Sequence, residues 1–224
     1  MVALLLLLLT RAGPATDPAE RIRAWVGASG TDPAGYDAMA DCTGPRGPYR
    51  TRIAFRRSDG WARFVQWHGE EQTWDAVALG PQSWVVDDGG KRAPGDSNAL
   101  AGVIGHQFLA MVLAPERIFR GLTSGRKERF EDQPVEWLTG TELAGTPLEL
   151  AIDAEGRPVA LRLLRGGKIG VLLIRWSGWE RIGKVRIPMA VQIDQGKDIF
   201  RFRFRPPRLE APGDAGWTPA APAH

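Results

Sequence analysis

Residues Leu100–Ala114, LAGVIGHQFLAMVLA, form the one long apolar segment beyond the N-terminus. The segment lies between two groups of stretches that alternate in polarity. Asp96, Ser97 and Asn98 precede it and can cap the N–H groups of a first helical turn. Pro115 ends it, because the residue before a proline is pushed out of the helical region. Leu100, Val103, Ile104, Gln107, Phe108 and Met111 recur at helical spacing. Leu109 and Leu113 cover the other side, so the predicted helix is apolar nearly all round and must be buried on more than one side. A helix of this length rises about 22 Å, short of the ~30 Å hydrocarbon core of a bilayer. Gly102 and Gly105 each weaken it by about 1 kcal/mol, so packing has to hold it.

The flanks supply that packing. Tyr49, Thr51, Ile53 and Phe55 alternate with Arg50, Arg52, Ala54 and Arg56, the period of a half-buried strand. Further strands are expected over 61–68, 72–79 and 82–87. After the helix and one possible helical turn over 116–122, more follow over 126–131, 135–143, 147–153, 159–164, 169–176, 178–184, 189–194 and 198–205. Turn signals such as Ser58-Asp59-Gly60 and Gln195-Gly196 join them. Asp17-Pro18 opens a short helix to Val26, with Asp17 as cap and proline in the first turn. Residues 27–48 read as loop with one turn around 36–39.

The pattern predicts a mainly β (α+β) protein. About ten to twelve antiparallel strands form a single strongly curved sheet around the apolar helix. Clean alternation leaves one face of that sheet wet.

Residues 2–9 are apolar but too few to span a bilayer. With Gly13-Pro14-Ala15 behind them, residues 1–15 read as a secretory signal peptide that lacks the usual basic residue before the apolar run. An uncleaved N-terminal anchor is the alternative. Residues 16–209 then form one domain, and the Pro/Ala-rich residues 210–224 a disordered tail.

The net charge of +3 gives no reason to expect nucleic acid. A single cysteine, Cys42, excludes an intrachain disulfide. Nothing basic stands near it to activate its thiol, so it reads as a small buried hydrophobe. Nine tryptophans imply a large aromatic core or cavity. His68, Glu70, Glu71 and Asp75 are the nearest approach to a metal or acid–base cluster, but Gly69 makes them a charged turn. His106 reads as a packing residue. No phosphate loop, HExxH or GxSxG motif is present, so no catalytic residue, metal or cofactor is expected.

Several stretches together resemble the LolA-like superfamily of periplasmic lipoprotein carriers and their relatives. Ala19–Trp25 running to Gly30 is similar to the opening helix of that family, and Arg50–Phe55 to its first strand. Gly60-Trp61 and Trp84–Gly89 resemble the strand pairs ahead of its lid helix. Trp176-Ser177-Gly178, Ile187-Pro188, Gly196 and Phe200–Phe204 resemble its closing strands. The likeness covers most of 19–209 and is one of shape and periodicity. It implies an unclosed half β-barrel with an apolar cavity between helix and sheet, where acyl chains bind at about 0.8 kcal/mol per CH₂.

The expected lining is Leu100, Ile104, Phe108 and Met111 from the helix. From strands come Phe55, Trp61, Trp67, Trp74, Trp84, Trp176, Phe200, Phe202 and Phe204. These residues could equally fill a core. The arginine that holds the lid in the family's carriers is not singled out by this sequence. The outer arginines Arg201, Arg203 and Arg205 could meet lipid phosphate or an acidic partner, or form a solvated strand face. The resemblance thus implies an exported, periplasmic, monomeric protein that binds a lipid, a lipoprotein acyl chain or another apolar ligand. The alternative is an envelope module with a filled core that acts through a protein partner.

Overall fold

The computed structural model describes residues 17–28, 32–87, 90–165 and 170–212. The signal peptide expected over 1–15 and most of the tail expected over 210–224 lie outside the described residues.

Helix α1 (Pro18–Val26) starts as expected: the Asp17 carboxylate accepts from the Ala19 N–H at 3.0 Å. It stops at Gly27, whose φ of 81° permits the left-handed turn that closes the helix. Thirteen strands follow: β1 (Gly35–Gly44), β2 (Gly47–Arg56), β3 (Trp61–His68), β4 (Glu71–Leu79), β5 (Gln82–Val86), β6 (Arg92–Pro94), β7 (Phe119–Phe130), β8 (Gln133–Glu142), β9 (Pro147–Ile152), β10 (Pro158–Arg165), β11 (Gly170–Ile182), β12 (Val185–Gln195) and β13 (Asp198–Phe204). They form one antiparallel sheet in the order β6-β5-β4-β3-β2-β1-β13-β12-β11-β10-β9-β8-β7. Among the described residues the only pairing between strands distant in sequence is β1 with β13, and β6 and β7 remain unpaired edges, so the barrel is not closed.

The chain between those two edges crosses the concave side as α2 (Ser97–Gly105), α3 (Ala110–Leu113) and α4 (Pro115–Ile118). Helix α2 packs on β3, β4 and β5, while α3 and α4 pack with α1. The main core lies between these helices and the concave face, with Ile22, Ile53, Phe64, Val103, Phe108, Leu161 and Ile187 essentially free of solvent contact. No helix among the described residues is long and apolar enough to cross a membrane.

Three expectations need correction. First, residues 35–44 are a central strand rather than loop. Their inward residues, Tyr36, Ala38, Ala40 and Cys42, are mostly small, so the alternation is faint. Second, β7 runs from Phe119, where a helical turn was expected. Its residues are largely exposed and polar, and only pairing with β8 makes them a strand.

Third, the segment over 100–114 is not one helix but breaks between Gly105 and Ala110. Side chains take over the backbone groups at the break. Tyr36 Oη accepts from the Ala110 N–H at 3.2 Å, and Trp176 Nε1 donates to the Phe108 carbonyl at 3.3 Å. Gln107, fully buried, accepts from Tyr36 Oη at 2.7 Å and donates to the Arg63 and Val103 carbonyls at 3.2 and 3.3 Å. A break is tolerated in the core because these partners satisfy its polar groups.

Candidate functional site: an apolar cleft at one end of the half-barrel

Beneath the helix break the interior is filled. Phe108, Leu109, Ala110 and Val112 have no solvent contact. Space remains at one end of the concave face, where the β1–β2 and β12–β13 hairpins turn and β10 ends at Arg165 beside Gly170. A cleft of about 450 Å³ lies there. Leu172, Ile174, Ile193, Phe200 and Phe202 form its apolar wall, and Tyr49 and Arg46 come from the β1–β2 hairpin. Strand alternation delivers the wall: residues 172 and 174, 193, and 200 and 202 take alternate positions on three paired strands.

Polar groups also line the cleft: Gln66, His68, His106, Arg165, Gln195 and Asp198. His68 stacks on Tyr49 with ring centroids 5.5 Å apart. His106 packs on Phe64 at 4.0 Å, with Phe202 at 6.1 Å, and its Nδ1 lies 2.7 Å from the Gly102 carbonyl. Burial lowers its pKa to about 4, the Gly102 hydrogen bond opposing and Arg165 assisting, so the ring is neutral at pH 7. Burial also raises the Tyr49 phenol, and Cys42 behind it is pushed up to about 12, an inert thiol. Arg165 Nη2 donates to the Ala101 carbonyl at 2.9 Å and stands 3.7 Å from Glu142, a carboxyl whose pKa burial raises. Arg165 thereby ties the last turns of α2 to β10 at the edge of the cleft.

A pocket of this volume suits one small or single-chain molecule, held by burial against the apolar side chains and oriented by a few polar groups. Among the described residues no group of three His, Cys, Asp or Glu side chains is placed to hold a metal ion. His68 points into the cleft, whereas Asp75 is ion-paired with Arg63 on the outer face; Glu70 and Glu71 are exposed at the turn.

The sequence matches no protein-family model and no curated protein. Solved structures do match. A LolA superfamily protein from Nitrosomonas europaea superposes with a TM-score of 0.65 at 10% identity, over 90% of this chain and 97% of its own. A putative outer membrane lipoprotein-sorting protein domain from Vibrio parahaemolyticus gives 0.56 at 12% identity, over 85% of this chain and 90% of its own. A DUF1329 family protein from Desulfovibrio piger gives 0.56 at 9% identity, over 90% and 92%. The fold is LolA-like.

Within this LolA-like half-barrel the thirteen expected lining residues separate into three groups. Phe200 and Phe202 line the cleft. Phe55, Trp74, Leu100, Ile104, Phe108, Met111, Trp176 and Phe204 face inward and pack in the core, away from it. Trp61, Trp67 and Trp84 are on the wrong face. Trp61 pairs with Arg56 and Trp67 with Arg50, residues whose side chains point outward. Trp61 and Trp84 form a small outer cluster with Ala54 and Val77, and Arg56 covers Trp61 with its guanidinium 5.6 Å from the ring. Trp137 is also outside, buried beneath Arg162 at 3.9 Å. Much of the aromatic content thus shields the outer surface under arginines instead of enclosing one cavity.

Tyr49, His68, Arg165, Leu172, Ile174 and Ile193 are the site residues that sequence reasoning missed. A signal existed for Arg165: Leu161 and Leu163 face inward, and two further residues along the strand brings Arg165 to the same face.

Proposed function

We propose that this protein binds a lipid acyl chain or another apolar ligand in the cleft at the end of its half-barrel. The observation that carries the reading is the cleft itself: about 450 Å³ of space on the concave face, walled by Leu172, Ile174, Ile193, Phe200 and Phe202. Each methylene taken from water onto such a wall contributes about 0.8 kcal/mol. The neutral His106 and the helix-bound Arg165 orient the ligand and have no catalytic part. The LolA-like fold supports a place in the bacterial envelope, following export.

Native mass spectrometry of protein purified from a membrane-containing host, together with uptake of a fluorescent fatty acid, tests this. A bound amphiphile and saturable uptake, weakened by Phe200→Asp, are expected. Ligand-free spectra with no uptake would overturn it. The filled interior around Phe108 and Leu109 favours a second reading, an envelope module that acts through a protein partner. Stable capture of one protein by a chain that takes up no fatty acid would select it.

A further inference from the structure

Leu79, Val85, Leu164, Val171 and Ile199 are the large hydrophobic side chains that stand exposed among the described residues. Three of them gather at one end of the sheet. Leu164 and Val171 are direct cross-strand partners on β10 and β11, 41% and 48% exposed. Ile199, 39% exposed, is the second residue of β13. It pairs with Asp194, which pairs with Leu173, two residues from Val171 and on the same face. The Asp194 charge is compensated by Arg175.

Alternation puts this patch on the outer face, because the neighbouring Leu172 and Phe200 point inward and line the cleft. The apolar patch and the cleft mouth are therefore two sides of the same hairpin ends.

Beyond the rim the outer face of β13 reads Ile199, Arg201, Arg203, Arg205. Each step of two residues advances about 6.6 Å along the strand. Arg205 is paired with Asp41, 3.0 Å away. Arg201 and Arg203 are exposed, and Arg203 has no ion-pair partner among the described residues. A rim of branched apolar side chains with guanidinium groups one and two steps behind it matches the layering of a lipid surface. Acyl chains there give way to phosphates over about 5–10 Å. A protein-binding hot spot would instead present an aromatic anchor fitted to a pocket.

We propose that this end of the half-barrel docks on a bilayer containing anionic lipid. Leu164, Val171 and Ile199 enter the boundary between headgroups and acyl chains, and Arg201 and Arg203 meet lipid phosphates. Docking in this pose holds the mouth of the cleft at the membrane surface, where an amphiphile leaves or enters a leaflet. The docking stands whatever the cleft holds.

Co-sedimentation of the full chain with phosphatidylcholine vesicles, with and without phosphatidylglycerol, tests it. Partitioning onto the phosphatidylglycerol vesicles is expected, and it weakens as salt screens the arginines. Arg203→Gln should weaken it about fivefold and Val171→Asp roughly tenfold. Arg181→Gln, at the far end of β11, should leave it unchanged. All three positions are exposed, so thermal unfolding should match the wild type. Equal binding to both vesicle types, or binding indifferent to Val171→Asp and Arg203→Gln, would overturn the proposal. So would loss of a protein complex in Val171→Asp with vesicle binding intact. Fatty-acid uptake measured on the same variants separates failure of docking from failure of the cleft reading.

Discussion

A Cβ on Gly102 would lie 2.2 Å from the tip of the Trp74 indole. The glycine that weakens α2 as an isolated helix is what lets α2 lie against β4. Gly102→Ala should destabilise the protein despite the gain in helix propensity, because Trp74 is held by Phe64 at 4.9 Å and cannot retreat freely. Overpacking of this kind costs about 1–3 kcal/mol. Chemical denaturation should show a lower midpoint, and adding Trp74→Phe should recover part of the loss. An unchanged midpoint in the single variant would mean that the ring moves aside.

Tyr36→Phe removes the hydroxyl that donates to Gln107 and accepts from the Ala110 N–H. Both partners are buried and would be left short of a hydrogen bond, at a cost of about 1–3 kcal/mol. A midpoint within error of the wild type would show that Tyr36 does not hold the helix break.

Phe108→Asp places a carboxylate among Phe202, Phe204 and His106 at a position with no solvent contact. An unpaired charge there is far costlier than the few kcal/mol of overall stability, so cooperative unfolding should be lost. Phe108→Leu, which keeps most of the volume, should still fold. A soluble Phe108→Asp protein with a wild-type near-UV spectrum would show that the helical segment is not enclosed.

His106 makes stability depend on pH. Its folded pKa of about 4 lies below the ordinary value of 6.5, so between those values the unfolded chain binds more protons than the folded one. Its contribution is present above pH 6.5 and is lost as the pH falls through that window toward 4. Glu142, raised by burial, acts with the opposite sign above its ordinary value, so the test is a difference. Melting temperatures of wild type and His106→Gln should differ in slope between pH 6.5 and 4, with the variant flatter. Parallel slopes would refute a neutral buried imidazole.

Much of the fold was legible because strand alternation is a local property. The inward set Ile53 and Phe55 on β2, and Leu161 and Leu163 on β10, appears where the period of two puts it. The capped start of α1 at Asp17 is equally local. The site was less legible. Trp61 and Trp84 are as apolar as Phe200 and Phe202, yet they lie on the opposite face, because a strand has two faces and register alone decides which is concave. Alternation places Arg165 inward but gave neither it nor His68 a role, since an inward charged or polar residue gains meaning only from the strand and helix facing it.

By itself, the sequence determined a single antiparallel sheet, a short capped helix before it and one apolar segment that had to be buried. Each follows from periodicity and turn chemistry within a few residues. Only the tertiary structure decided that residues 100–114 break at His106–Leu109, that their middle fills the interior, and that space remains at one end. Those outcomes depend on contacts between residues far apart in the chain, such as Tyr36 with Gln107 and Arg165 with Ala101, where packing and hydrogen bonding overrode the local preference for a continuous helix.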